Sequence, residues 1–105
     1  MARSSVIEIG DLRVDTAAHL VTRGGDTVGL TAKEFQLLEY LAVHAREVVS
    51  KDRLLSALWA HDCEPDSNVV EVYVAHLRRK IDRGRASPLV HTVRGAGYVL
   101  REAAP

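Results

Sequence analysis

The chain has one cysteine, Cys63, in 105 residues. A single thiol excludes an internal disulfide and fits a reducing compartment, which points to the cytoplasm. Aromatic residues make up only 5%, so the core has to come mostly from Leu, Val and Ala. No apolar run approaches the ~20 residues that span a bilayer, so no membrane partner is expected. Met1 to Ser5 carries one charge and no apolar stretch follows it, unlike a secretion signal. Internal repeats and low-complexity tracts are absent too. Net charge is the last thing missing: 14 Lys and Arg balance 14 Asp and Glu. What is left is one domain's worth of chain, 47% hydrophobic, enough for a modest core.

A zero total argues against a nucleic-acid partner only when read globally. Residues 1–65 hold ten acids and seven Lys or Arg, a sum of −3. Residues 66–101 hold three acids and seven Lys or Arg, a sum of +4, and Glu102 supplies the last −1. Surface charges are screened beyond about 10 Å, so the local patch matters more than the total. One end of the domain is basic. The weak total implies modest, salt-sensitive affinity for a polyanion.

The basic end contains the stretch that organises the chain, Asp66 to Arg83. Its pattern predicts one helix of about five turns. At roughly 100° per residue, Val70, Val74, Leu77 and Ile81 form a narrow apolar stripe that should face a core. The opposite face carries Asn68, Val72, Ala75, His76 and Arg79, with Arg78 and Lys80 flanking it. Short polar groups, methyls and cations opposite a greasy seam suit a DNA major groove. A solvated amphipathic helix would show the same periodicity.

Ahead of it, VIEI, LRV, HLVTR and TVGL read as short strands separated by Gly10-Asp11, Thr16-Ala17-Ala18 and Gly24-Gly25-Asp26. They predict an antiparallel sheet of three or four strands. Thr31 and Glu34 form a capping box, with Leu30 and Phe35 as a hydrophobic staple. That helix should run to His44 or Ala45 and bury Phe35, Leu38, Leu41, Ala42 and Ala45. Ser50 caps a second helix, with Val49 and Leu54 as staple and Leu54, Leu55, Leu58 and Trp59 on its apolar side. Residues 60–66 break it, secured by Pro65. Asp66 or Ser67 should cap the third helix. The pair is then a helix-turn-helix with a long turn. LVHTVR, a Gly95-Ala96-Gly97 turn and YVLR make a closing hairpin, with Arg94 at its turn. A cationic hairpin behind such a helix is the plan of a winged helix, whose arginine can enter the adjacent minor groove.

Four blocks, LTAKEFQLLEYLA, VVSKDRLLSALW, SNVVEVYVAHLRRKI and HTVRGAGYVL, resemble in order and spacing the OmpR/PhoB-type effector domain of bacterial response regulators. The resemblance covers about Val6 to Arg101. It implies an α+β winged helix-turn-helix at residues 6–102: a four-stranded antiparallel N-terminal sheet, a three-helix core and a C-terminal β-hairpin wing at 89–101. Residues 1–5 would be a linker remnant and 103–105 a tail. The implied function is sequence-specific binding of double-stranded DNA and transcription regulation, as the output domain of a two-component phosphorelay. By position, Asn68, Val69, Val72, Tyr73, His76 and Arg79 would read bases. Trp59, Arg78, Thr92 and Tyr98 would touch the DNA backbone, and Arg94 the minor groove. The loop residues His61, Asp62 and Glu64 would be able to meet RNA polymerase. The family also implies a receiver domain in the full-length protein and tandem head-to-tail pairing with a second copy on direct-repeat sites. Two positions depart from many members, which carry Arg at Asn68 and a second cation at Ala75. Asn68, able to bond adenine, and Val72, able to meet a thymine methyl, then carry more of the reading.

Other chemistries fit less well. His61, Asp62, Cys63, Glu64 and Asp66 cluster, but no metal-ligand spacing completes them, so no metal and no other cofactor is expected. Ser67, Glu71 and His76 lie in one predicted helix without sharing a face, so no enzyme is expected. A winged helix that binds only protein, for example RNA polymerase, is the alternative. It would have no use for the wing arginine or the basic helix face.

Overall fold

The computed structural model describes residues 5–60, 68–85 and 87–102. Four short strands open the fold: β1 (Val6–Ile9), β2 (Leu12–Asp15), β3 (Leu20–Arg23) and β4 (Asp26–Thr27). They form one antiparallel sheet in sequential order, with Ile9 opposite Leu12 and Val14 opposite Val21. Gly24 and Gly25 both have positive φ, +59° and +89°, the combination that a tight hairpin turn demands and that glycine supplies without strain. Ile9, Leu12, Val14 and Val21 point inward and form one wall of the core.

Helix α1 (Ala32–Val43) begins with the expected box. The Thr31 hydroxyl accepts from the Glu34 amide, and Glu34 Oε1 accepts from the Thr31 amide at 2.9 Å. Phe35, Leu38, Leu41 and Ala42 are buried as expected, and so is Leu37, whereas Ala45 is only half-buried. The helix stops at Val43, one or two residues short of the expected end at His44 or Ala45. Helix α2 (Lys51–Leu58) is capped by the Ser50 hydroxyl, which accepts from the Arg53 amide.

Helix α3 (Val69–Ile81) is shorter at both ends than its sequence pattern suggested. Its N-cap position is Asn68, not Asp66 or Ser67, which lie outside the described residues, and the Asn68 side chain makes no capping bond. Val70, Val74, Leu77 and Ile81 are buried to 1% exposure or less. Four such side chains contribute roughly 6–12 kcal/mol at about 1.5–3 each. A side-chain cap contributes about 1. Packing of this seam, not capping, therefore holds the helix in place.

Strands β5 (Val90–Val93) and β6 (Gly97–Leu100) form the hairpin, with Val93 opposite Gly97. The hairpin is stitched to the segment before α2: Val49 N–H donates to the Tyr98 carbonyl at 2.8 Å and Tyr98 N–H to the Val49 carbonyl at 2.9 Å. A Cβ on Gly97 would lie 2.1 Å from the Val49 carbonyl oxygen, so this contact requires glycine.

One buried cation joins the sheet to the helices. Arg23 is 2% exposed. It donates to Asp11 Oδ1 (2.5 Å), the Ile81 carbonyl (2.7 Å), Asp82 Oδ1 (3.0 Å) and the Ser87 carbonyl (2.5 Å). Asp82 also accepts from the Leu89 and Val90 amides. The end of β3, the C-terminus of α3 and the entry to the hairpin are thus held at one point, with no buried charge left alone.

Candidate nucleic-acid interface

α3 exposes what its buried seam leaves over. Asn68, Val72, Ala75 and Arg79 are exposed along one face, Val72 at 39%. His76 has 40% of its side chain in solvent. Val69 and Tyr73 are half-buried on the flank, packed against the core. The Tyr73 ring lies 5.4 Å from the Trp59 ring and 5.6 Å from the His76 ring. Of the six residues expected to read bases, four therefore project outward, and Val69 and Tyr73 support them from the side.

The hairpin is fixed to α3 by Arg78. Its Nε donates to the Val90 carbonyl at 3.2 Å and its terminal nitrogen to the Thr92 hydroxyl. Two residues expected to touch a DNA backbone are thus bonded to each other across the groove between helix and wing. Thr92 and Arg94 are exposed, Arg94 at the hairpin turn. Arg79 and Arg94 have no ion-pair partner among the described residues, which leaves both charges available to a ligand. Lys80 is different. It donates to Glu34 Oε1 at 2.6 Å and so is held against α1.

Trp59 and Tyr98 are buried, at 5% and 8% exposure. Trp59 ends α2, with Lys33 Nζ 5.5 Å above its ring. Tyr98 lines an open depression of about 320 Å³ between the start of α2 and the hairpin, together with Ser50, Lys51 and Thr92. Burial pushes the Tyr98 hydroxyl above its ordinary pKa, and the Glu71 charge adds to this against Arg78 and Lys51. The phenol therefore remains a hydrogen-bond donor. Glu71 itself is raised by burial. Its helix amide bond and the Lys51 side chain, 3.1 Å away, outweigh that and bring it below the usual carboxylate value.

Sequence reasoning missed three contributors. Glu34 has a capping role that was legible, but its contact with α3 was not. Lys51 neutralises Glu71 at the mouth of the groove, and Arg23 sets the far end of α3. Their partners are far away in sequence, so no local pattern reports them. His61, Asp62 and Glu64, expected to be able to meet a polymerase, lie outside the described residues, as do the other members of that cluster.

The family described as "Transcriptional regulatory protein, C terminal" matches residues 25–100. The chain belongs to this family. It is an OmpR/PhoB-type effector domain, and its four-stranded sheet, three helices and hairpin are the winged helix of that family. The domain is similar to the probable transcriptional regulatory protein TcrX of Mycobacterium tuberculosis, 46% identical over 95 residues, or 90% of this chain and 40% of that protein. It is also similar to response regulator MprA of Mycobacterium avium, 43% identical over 104 residues, 99% of this chain and 46% of that one. The chain thus spans less than half the length of these relatives. Among solved structures, the Klebsiella pneumoniae RstA DNA-binding domain in complex with the RstA box superposes with a TM-score of 0.81 at 31% identity, covering 91% of this chain and 96% of that one. The DNA-binding domain of CpxR from E. coli gives 0.79 at 32%, covering 94% and 98%. The OmpR/PhoB-type domain is a transcription-regulator module, and no helix among its described residues is long and apolar enough to cross a membrane.

Proposed function

We propose that this domain binds double-stranded DNA sequence-specifically, with α3 in the major groove and the turn of the β5–β6 hairpin at the adjacent minor groove. The observation that carries this reading is the pairing of two exposed arginines without an ion-pair partner among the described residues, Arg79 on α3 and Arg94 on the hairpin, on elements locked together through Arg78 and Thr92. Asn68 presents a carboxamide that suits adenine, and Val72 a methyl surface that suits thymine. His76 and Arg79 extend the reading face, with Val69 and Tyr73 at its edge. Thr92, Tyr98 and the Arg78 guanidinium supply donors to phosphates, and the Trp59 indole N–H is a further donor beside them. Arg94 supplies the cation that a narrow minor groove attracts.

In its full-length, cytoplasmic context the domain, residues 6–102, acts as the output half of a response regulator behind a receiver domain. It contacts RNA polymerase through His61, Asp62 and Glu64 and pairs head-to-tail on direct repeats. The relatives' names and their greater length support the receiver, and the complex of RstA with its box supports the DNA. One domain offers one helix and one wing, so affinity for a single half-site is modest.

The test is a titration against a randomised duplex library, then against selected sites at several salt concentrations. Selected duplexes with one half-site should bind one copy. Two half-sites about 10–11 base pairs apart, one helical turn, should bind two copies cooperatively. Inserting five further base pairs should remove the cooperativity. Equal cooperativity after that insertion, or a stable dimer without DNA, would rule out the tandem arrangement. Absence of any salt-dependent duplex binding would overturn the reading itself.

A further inference from the structure

Glu34 belongs to α1, yet its carboxylate is the centre of a cluster on α3. The two oxygens have different work. Oε1 accepts from the Thr31 amide at 2.9 Å and from Lys80 Nζ at 2.6 Å. Oε2 faces His76 Nδ1 at 3.7 Å. Glu34 has 5% of its side chain exposed, while His76 has 40%, so the ring sits at the boundary with Nδ1 toward the buried carboxylate. Among the described residues, the charged and titratable groups that the contacts place at this cluster are Glu34 from α1 and Tyr73 and Lys80 from α3 itself.

An ionised carboxylate is an acceptor only. Glu34 is raised by burial, but the bonds from Lys80 and Thr31 outweigh this and hold it below the usual carboxylate value, so it is ionised at neutral pH. At 3.7 Å the contact is electrostatic, longer than a hydrogen bond. The two neutral tautomers of imidazole are close in energy, and the charge facing one nitrogen decides what the other can do. A carboxylate facing Nδ1 favours the proton there. Nε2 is then left with a lone pair, an acceptor on a ring that keeps 40% of its side chain in solvent.

We propose that Glu34 is a positioning residue that sets the base preference of His76: it holds His76 as an acceptor toward the major groove, so His76 selects a base bearing an amino group there. This rests on the DNA-binding reading above. In the major groove the amino groups are adenine N6 and cytosine N4, whereas guanine O6 and thymine O4 are acceptors that a lone pair repels.

The geometry makes one substitution decisive. In Glu34→Gln the site of Oε1 still needs an acceptor, because the Thr31 amide and Lys80 both donate to it. The amide oxygen occupies that site, which preserves the capping box. The amide nitrogen then takes the place of Oε2, so a positive N–H edge faces His76 Nδ1 and favours the lone pair there. The tautomer inverts, and Nε2–H becomes a donor.

The test compares wild type, Glu34→Gln and His76→Ala on a randomised duplex library at pH 8, where imidazole is ordinarily neutral. Wild type should prefer adenine or cytosine at one position by about tenfold. Glu34→Gln should stop rejecting guanine and thymine there and should discriminate against cytosine, since a donor is accepted by guanine O6, thymine O4 and purine N7, and His76→Ala should lose the preference there while other positions keep theirs. Continued rejection of guanine and thymine at that position in Glu34→Gln overturns the proposal, as does a full set of preferences in His76→Ala. Failure of wild type to select any sequence overturns the DNA-binding reading instead. A second measurement does not depend on the variant folding. Nitrogen-15 shifts of the His76 ring in the free wild-type domain should report the proton on Nδ1, and a proton on Nε2 would refute the assignment.

Discussion

Gly97→Ala probes how the wing is held against the helices. The new Cβ would lie 2.1 Å from the Val49 carbonyl oxygen, 2.7 Å from its carbon and 2.8 Å from Ser50 Cα. All three are backbone atoms, so no rotamer change relieves the clash. The φ of +147° is itself outside the range that an L side chain tolerates, which costs about 1–3 kcal/mol. Relief requires β6 to back away from Val49. That breaks the two amide–carbonyl bonds between Val49 and Tyr98, each contributing about 0.5–1.5 kcal/mol. The sum is about 2–6 kcal/mol, against a total stability on the order of 5–15 for a domain. A domain of this size loses roughly 4–8 °C of melting temperature per kcal/mol, so the variant should melt about 10 °C or more below wild type. Gly95→Ala is the control. Its φ is +77° and nothing lies within 4 Å of its Cβ, so only the backbone term of about 1–2 kcal/mol applies. Thermal melting followed by circular dichroism measures both. Hydrogen exchange at the Val49 and Tyr98 amides should accelerate in Gly97→Ala alone. Equal loss of stability in the two variants, with the Val49 amide still protected, would refute the close-approach argument.

Arg94→Ala should weaken duplex binding by about 1–3 kcal/mol in a fixed-salt titration with the melting temperature unchanged. Asn68→Ala should relax discrimination at one base position, whereas Arg78→Ala should weaken all sequences alike, lower the salt slope by about one and, because Arg78 also ties the hairpin to α3, lower the melting temperature. Trp59→Phe keeps the ring contact with Tyr73 but removes the indole N–H donor, so affinity should fall while the fold survives. Arg23→Met removes one partner from a buried ion pair and should cost about 3–5 kcal/mol in denaturant unfolding. Glu34 is depressed in the folded state, so its contribution is complete above its ordinary value of 4.5 and disappears as pH falls through the lower folded value. Acid unfolding of Glu34→Gln should therefore be shallower in that window.

What the sequence decided by itself is local. The capping box at Thr31 and Glu34, the cap at Ser50, the Gly24-Gly25 turn and the Val70–Ile81 stripe act through neighbours no more than a few residues apart. Their consequences could be read without a fold. The start of α3 was the local exception. Asp66 or Ser67 was expected as the cap, and the position falls at Asn68, a residue type that caps equally well. The resemblance in four blocks extended this reading to the architecture and to an outward set of residues, and the structure places Asn68, Val72, His76 and Arg79 on one face. Tertiary structure decided which cations are available. Lys80 and Arg79 are adjacent on one helix, yet Lys80 is bound by Glu34, 46 residues away, and Arg79 is not. Arg23 was legible only as a strand residue in register with Val21, and its burial depends on Asp82, 59 residues later. A helix period or a cap constrains only its own turn, whereas an ion pair depends on where two separate elements meet. That meeting is set by packing of the whole core.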